Sequence, residues 1–182
     1  MPGRVQPVEG RVESSPDRKR SRHAEPIVPA ECLYYLISRA TLVATSVLKH
    51  ELADCGAIQV RPSYLGVLMT LWSTDGLGVV ELGRRAGLEP STMTGLLDRM
   101  QRDGLLLRVA DPKDRRALQI SLTEDGKRLQ RPVLTAVSEA LARATEGFSE
   151  EELSTTKDVL RRFLVNMQEE RRECHGKKNR RV

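Results

Sequence analysis

The chain has 182 residues, of which 39% are hydrophobic and 3% aromatic, with a formal net charge of +5. That length suits one domain, or one lobe with a dimerisation arm, and so few aromatics call for a core of Leu, Val and Ala, as helical proteins build. No apolar run reaches the ~18 residues of a membrane span and no hydrophobic leader follows the basic start; three scattered cysteines without a CxxC pair exclude a disulfide framework or a Cys-rich zinc site and fit the reducing cytoplasm.

Residues 1–29 hold five prolines, many charges and almost nothing to bury, and read as a disordered basic arm. A first long helix spans about 30–54, with Leu33, Leu36, Ile37, Ala40, Val43, Val47 and Leu48 along one side. A second begins near Pro62 and carries Leu65, Leu68, Met69 and Trp72. Two short helices follow. Val79, Leu82 and Ala86 mark the first; Gly87 stands where the chain must turn through positive φ. Pro90 opens the second, and Met93, Leu96, Leu97 and Met100 form its apolar stripe. Gly104 closes that helix as a C′ glycine.

A hairpin comes next. Leu118, Ile120 and Leu122 alternate with Gln119 and Ser121, so one face is buried and one is wet. Asp111-Pro112 opens its turn, leaving Lys113, Asp114, Arg115 and Arg116 at the tip. Thr123 caps a helix expected to run to about Glu146, with Leu129, Val133, Val137, Leu141 and Ala144 on its apolar side and a kink at Pro132. Ser149 and Glu152 form a capping box for a last helix with Leu153, Leu160, Phe163, Leu164 and Met167. Residues 174–182 are a basic tail. The fold is therefore mainly α with a small β-hairpin wing: a winged helix-turn-helix lobe at about 62–122, and dimerisation helices at about 30–54 and 123–171. The outer helices carry more apolar surface than so small a lobe can cover, and a homodimer would bury the excess.

The charge is uneven. The first 29 residues contribute +2 and the last nine +4, leaving the body near −1, so the total charge says little about partners. Clustering says more. Opposite its apolar stripe the second short helix shows Ser91, Thr92, Thr94, Gly95, Arg99 and Arg102, and the hairpin tip adds its own cations. Hydroxyls and guanidinium groups on one face suit phosphates and base edges of double-stranded DNA.

The stretch VELGRRAGLEPSTMTGLLDRMQRDGLLLRVADPKDRRALQISLTEDG resembles the MarR family of bacterial transcription regulators. Its sharpest marks are Asp114-Arg115-Arg116 and, six residues on, Leu122-Thr123-Glu124-Asp125-Gly126. The resemblance implies residues 30–173 as one MarR-like domain, a triangular homodimer, and a recognition helix in the major groove of a pseudo-palindromic operator. It assigns DNA contact to Ser91, Thr92, Thr94, Gly95, Arg99, Lys113, Asp114, Arg115 and Arg116, with Asp114 orienting Arg116 into the minor groove. It also implies a small effector, often an aromatic acid or phenolic, in a pocket near Tyr34, Tyr35, Arg39, Tyr64, Met69 and Trp72, where Arg39 could pair with a carboxylate.

The favoured reading is thus a transcriptional regulator, a repressor released by a small effector, with no cofactor and no metal site. Two alternatives stay open. Cys32 beside Tyr34 and Tyr35 would suit a thiol-based oxidant sensor on the same scaffold, its other reading being a small buried hydrophobe. The basic tails would suit a nucleoid-type architectural binder. No P-loop, GxGxxG or Ser/His/Asp arrangement points to catalysis.

Overall fold

The structure, a computed structural model, describes residues 28–110 and 118–179. Most of the N-terminal arm, the hairpin tip and the end of the basic tail lie outside the described residues. The chain forms two compact units, Met1–Ala40 and Thr41–Val182. A 3-10 turn at Pro29–Glu31 precedes helix α1, which spans Leu33–Asp54, beginning in the first unit and ending in the second.

The second unit holds the rest: α2 (Leu65–Ser73), entered through a 3-10 turn at Pro62–Tyr64, β1 (Leu77–Gly78), α3 (Val79–Ala86), α4 (Pro90–Arg102), β2 (Leu106–Ala110), β3 (Leu118–Leu122), α5 (Glu124–Arg128), α6 (Gln130–Ala144) and α7 (Glu150–Asn179). Its core gathers Leu68 and Leu71 from α2, Leu82 from α3, Met93, Leu97 and Met100 from α4, Ile120 from β3 and Val133 from α6, all at most 1% exposed. Excluding water from this apolar set is what holds the short elements together, since helices of eight or nine residues do not persist alone.

The local signals act as read. Gly78 caps α3, Gly87 ends it at φ 69°, and Pro90 is the first residue of α4. At the other end of α4, Gly104 takes φ 74°; its N–H donates to the Gln101 carbonyl at 3.1 Å, while Leu105 N–H reaches back to Met100 O at 3.0 Å. This double closure stops the helix and aims the chain into β2. At α7 the capping box forms: Ser149 N–H donates to Glu152 Oε2 at 2.8 Å, and Glu152 N–H donates to Ser149 Oγ at 3.2 Å.

The expected hairpin is present with one strand added, and three expectations, the single helix after Thr123 and the buried faces of α6 and α2, need correction. The hairpin is part of a three-stranded antiparallel sheet ordered β1-β3-β2, with Leu77 opposite Ile120 and Leu106 opposite Leu122. The helix expected from Thr123 to Glu146 is two helices, broken at Leu129. Pro132 causes this from three residues away: it has no N–H for the Arg128 carbonyl, and its ring would clash there, so α5 ends at Arg128 and Pro132 sits in the first turn of α6, where no donor is needed. Within α6 the buried side is Val133, Ala136, Val137 and Ala140, while Leu141 and Ala144 are exposed. In α2 the buried face is Leu65, Val67, Leu68 and Leu71, leaving Met69 exposed and Trp72 half-buried.

Candidate nucleic-acid interface

The orientation of α4 follows from its apolar stripe. Met93, Leu96, Leu97 and Met100 are at most 2% exposed. Burying them leaves one rotation for the helix, and the opposite face turns outward with Ser91, Thr92, Thr94, Asp98, Arg99 and Arg102 exposed. Gly95 lies between, half-buried, and a Cβ there would sit 3.4 Å from an Arg99 guanidinium nitrogen. The turn into this helix is pinned from both sides: Leu88 N–H donates to Gly83 O at 2.9 Å, and Met93 N–H to Glu89 O at 2.9 Å.

The outward face would carry a bare carboxylate at Asp98. Arg108 of β2 removes it, with Nη2 at 2.6 Å from Asp98 Oδ1 and Nη1 on Gln101 Oε1. The same contact clamps the start of the wing to the recognition helix. Sequence reasoning missed Asp98, Gln101 and Arg108. The one signal was a guanidinium inside the strand LLLRVA, and its partner is ten residues away on another element.

The end of α4 is anchored through Asp103. The Tyr64 hydroxyl donates to Asp103 Oδ2 at 2.7 Å, Arg61 Nε lies 3.7 Å from the same oxygen, and the Arg61 guanidinium stands 5.8 Å from the Tyr64 ring centre. Burial pushes the Tyr64 hydroxyl's pKa above its ordinary value, and the hydrogen bond to Asp103 pushes it further. On α3, Glu81 accepts from Arg84 at 2.7 and 2.8 Å and from Arg85 at 2.6 Å. Those hydrogen bonds, the Arg84 pair first, hold its pKa down to about 2.

The wing grows from a rigid base. Thr123 N–H donates to Leu105 O at 3.1 Å, and its hydroxyl donates to Gly104 O at 2.6 Å while accepting from Gly126 N–H at 3.0 Å. Asp75 Oδ1 accepts from both Gly76 N–H and Leu122 N–H at 2.9 Å. Trp72 Nε1 donates to Gly126 O at 2.9 Å. Gly126 is buried against this network so closely that a Cβ would stand 2.2 Å from the Leu105 carbonyl oxygen. Asp75 and Gly126 were also missed, because neither has a local reason to be what it is. The tip residues Lys113, Asp114, Arg115 and Arg116 lie outside the described residues; β2 and β3 carry the chain to them from the Ala110–Leu118 pair.

The expected effector residues are shared between the two units, with Tyr34, Tyr35 and Arg39 in the first and Tyr64, Met69 and Trp72 in the second. Tyr34, Tyr35 and Arg39 are exposed on α1 in the first unit. Tyr64 is fully buried with its hydroxyl committed to Asp103. Met69 is exposed, and the Trp72 indole is committed to Gly126. A cavity of about 580 Å³ between the end of α1 and α6 is lined by Glu51, Asp54, Cys55, Arg131, Thr135 and Glu139 among others, and by none of those six. Cys32 is half-buried beside the start of α1. No helix among the described residues is long and apolar enough to cross a membrane.

The sequence pattern of the MarR family matches residues 61–118, from the entry to α2 through to the start of β3. YsmB, an HTH-type transcriptional regulator of Bacillus subtilis, is 35% identical over 60% of this chain and 71% of its own. The homoprotocatechuate degradative operon repressor of Escherichia coli is 36% identical over 54% of this chain and 67% of its own. Among solved structures, CouR of Rhodococcus jostii bound to p-coumaroyl-CoA superposes with a TM-score of 0.63 at 27% identity, covering 75% of this chain and 94% of that one.

Proposed function

Because this chain belongs to the MarR family, and so is a DNA-binding transcriptional regulator, we propose that it acts as a homodimeric repressor released by a small phenolic or aromatic ligand. The observation that carries the DNA side is the rotation of α4, which buries its four large apolar residues and turns Ser91, Thr92, Thr94 and Arg99 outward. These side chains would read base edges and phosphates in a major groove, with Gly95 allowing close approach. The wing tip, with Lys113, Asp114, Arg115 and Arg116, would reach the backbone or the minor groove beside it.

Dimerisation rests on apolar surface that is exposed among the described residues. Along α7, Leu160, Leu164 and Met167 recur at helical spacing and are 41–57% exposed; Leu33, Leu36, Val43 and Val47 are exposed on α1. Such faces are covered in stable proteins, most often by a second copy. The ligand class rests on relatives: one is named for a homoprotocatechuate operon and another was captured with p-coumaroyl-CoA.

Footprinting, light scattering and a screen of phenolic acids test the proposal together. The protected site should be a pseudo-palindrome with half-site centres roughly 10 bp apart, and one class of acid should abolish protection. A stable monomer at micromolar concentration, or protection of a single unrepeated half-site, would overturn the dimeric reading. A screen in which no phenolic acid weakens binding would overturn the ligand class.

A further inference from the structure

The outward face of α4 ends on an acid. Thr92, Gly95, Arg99 and Asp103 follow one another at three- and four-residue steps, so they lie in one line along that face. Asp103 is the C-cap of the helix, where the negative end of the dipole already lies. A carboxylate there repels phosphates, and DNA lying along the whole helix calls for a cation at this end.

Arg61 supplies it from another element, the residue before the 3-10 turn that enters α2. Its Nε lies 3.7 Å from Asp103 Oδ2. The Tyr64 hydroxyl already donates to that oxygen at 2.7 Å, so Arg61 balances the charge of Asp103 without donating a hydrogen bond to it. The guanidinium is held by the Tyr64 ring, 5.8 Å from its centre. Its backbone is held as well, because Tyr64 N–H donates to the Arg61 carbonyl at 2.8 Å. Burial and Asp103 raise the pKa of the Tyr64 hydroxyl, while Arg61 and Arg99 both oppose that rise, so the two cations share the neighbourhood of one hydroxyl. The Arg61 side chain is 59% exposed against 25% for Asp103; the cation faces water and the acid largely does not. Helix α4 has 13 residues, or about 20 Å at ~1.5 Å per residue, whereas the major groove is ~12 Å wide. Its ends therefore come against the phosphate walls.

We propose that Arg61 is a DNA-phosphate contact, set by the Tyr64 ring and Asp103 at the C-terminal end of the recognition helix, where it grips the backbone beside each half-site. It rests on the reading of the chain as a dimer with α4 as recognition helix. A guanidinium already stacked and oriented loses little rotamer freedom on binding, and its planar fork matches a phosphate. The contact adds affinity without base preference and steepens the dependence on salt.

The test compares the intact chain with Arg61→Gln and Arg61→Lys by fluorescence anisotropy on an operator duplex across a salt series. The Gln variant should bind roughly tenfold or more weakly at low salt, with a log–log slope shallower by about two, one for each protomer, and with base preference unchanged. The Lys variant keeps the charge and should keep the slope. A methylphosphonate scan of the duplex gives an independent readout: one phosphate in each half-site should matter to the intact chain and cease to matter to the Gln variant. A merely structural role for Arg61 would lower affinity and move neither slope nor scan. Arg61→Met, which keeps an apolar stem on the Tyr64 ring, takes the place of the Gln variant if circular dichroism shows that one unfolded. Equal slopes for the intact chain and the uncharged variant, a Lys variant as shallow as the uncharged one, or the same sensitive phosphates in both scans overturns the proposal and leaves the DNA-binding reading intact. Failure of the intact chain to bind any operator sinks both.

Discussion

Replacing Gly126 by alanine adds one methyl group at the tightest point of the molecule. The new Cβ would stand 2.2 Å from the Leu105 carbonyl oxygen and 3.2 Å from Leu122 Cδ2. The first contact falls more than roughly 1 Å short of ordinary van der Waals separation. Its partner is backbone, already accepting the Thr123 N–H, so no side chain can swing aside. Relief requires α5 to move off the wing base. Forced overpacking of this kind costs about 1–3 kcal/mol. The movement also strains the Trp72 hydrogen bond, with a net value of about 0.5–1.5 kcal/mol, and the Thr123 cap, about 0.5–2 kcal/mol. Better helix propensity of alanine returns about 0.5–1 kcal/mol. The balance is a loss of about 1–6 kcal/mol centred near ~3.5, which at ~2–4 °C per kcal/mol lowers Tm by roughly 7–14 °C at the centre of that range. Trp72 is the single tryptophan of the chain, and its indole bonds to Gly126, so its fluorescence reports the site directly during urea unfolding. A variant within about 0.5 kcal/mol of the parent would refute the geometry of the wing base.

Two further predictions concern charge. Arg108→Ala should change stability by less than about 1 kcal/mol, because its ion pair with Asp98 is partly exposed, yet weaken operator binding about tenfold or more by baring a carboxylate toward phosphates; Asp98→Asn in the same chain should recover most of that loss in an anisotropy titration, and absence of recovery would show that Arg108 acts through wing register instead. Glu81, held at about 2 against an ordinary 4.5, has the sign of a carboxylate that favours the folded state when ionised: its contribution is complete above pH 4.5 and is lost as pH falls through about 2. An NMR titration of its side-chain carboxyl should show the low midpoint in the parent and a rise toward 4.5 in Arg84→Ala; an ordinary midpoint in the parent would contradict the double pairing.

The helix-turn-helix was legible because its signals are local. A glycine needing positive φ, a proline at a helix start and four apolar residues at helical spacing each act within a few residues of themselves. The exposed face of α4 followed from the same stripe. What escaped the sequence depends on the third dimension. A two-residue strand at Leu77–Gly78 is too short to show a period. In α2, Leu65, Val67, Leu68, Met69, Leu71 and Trp72 surround the helix with apolar groups, so periodicity cannot choose between faces, and packing selects Val67 and Leu71 over Met69. Tyr64 reads as a ligand aromatic, and nothing local shows that it is buried with its hydroxyl on Asp103, thirty-nine residues away, where it also supports α4. Pro132 was visible, but the break it causes lies a turn earlier, because a proline disrupts the carbonyl four residues before it.

The bonds at the wing base form one connected set. Leu105 closes the end of α4 through its N–H and receives Thr123 through its carbonyl. Thr123 holds Gly104 on one side and caps α5 on the other. Trp72 then ties α5 to α2. A movement of α5 therefore disturbs both the hairpin and the end of the recognition helix, since Gly126 packs so closely on Leu105 that an added Cβ would stand 2.2 Å from its carbonyl oxygen. A loosely packed hinge would absorb such a movement, whereas this one passes it on. The residues that position the DNA-reading surface and those that would transmit its release are, by this connectivity, the same ones. Substitutions at Thr123 should accordingly change operator affinity and its response to ligand together, and a Thr123→Val protein with altered affinity but unaltered ligand response would separate the two.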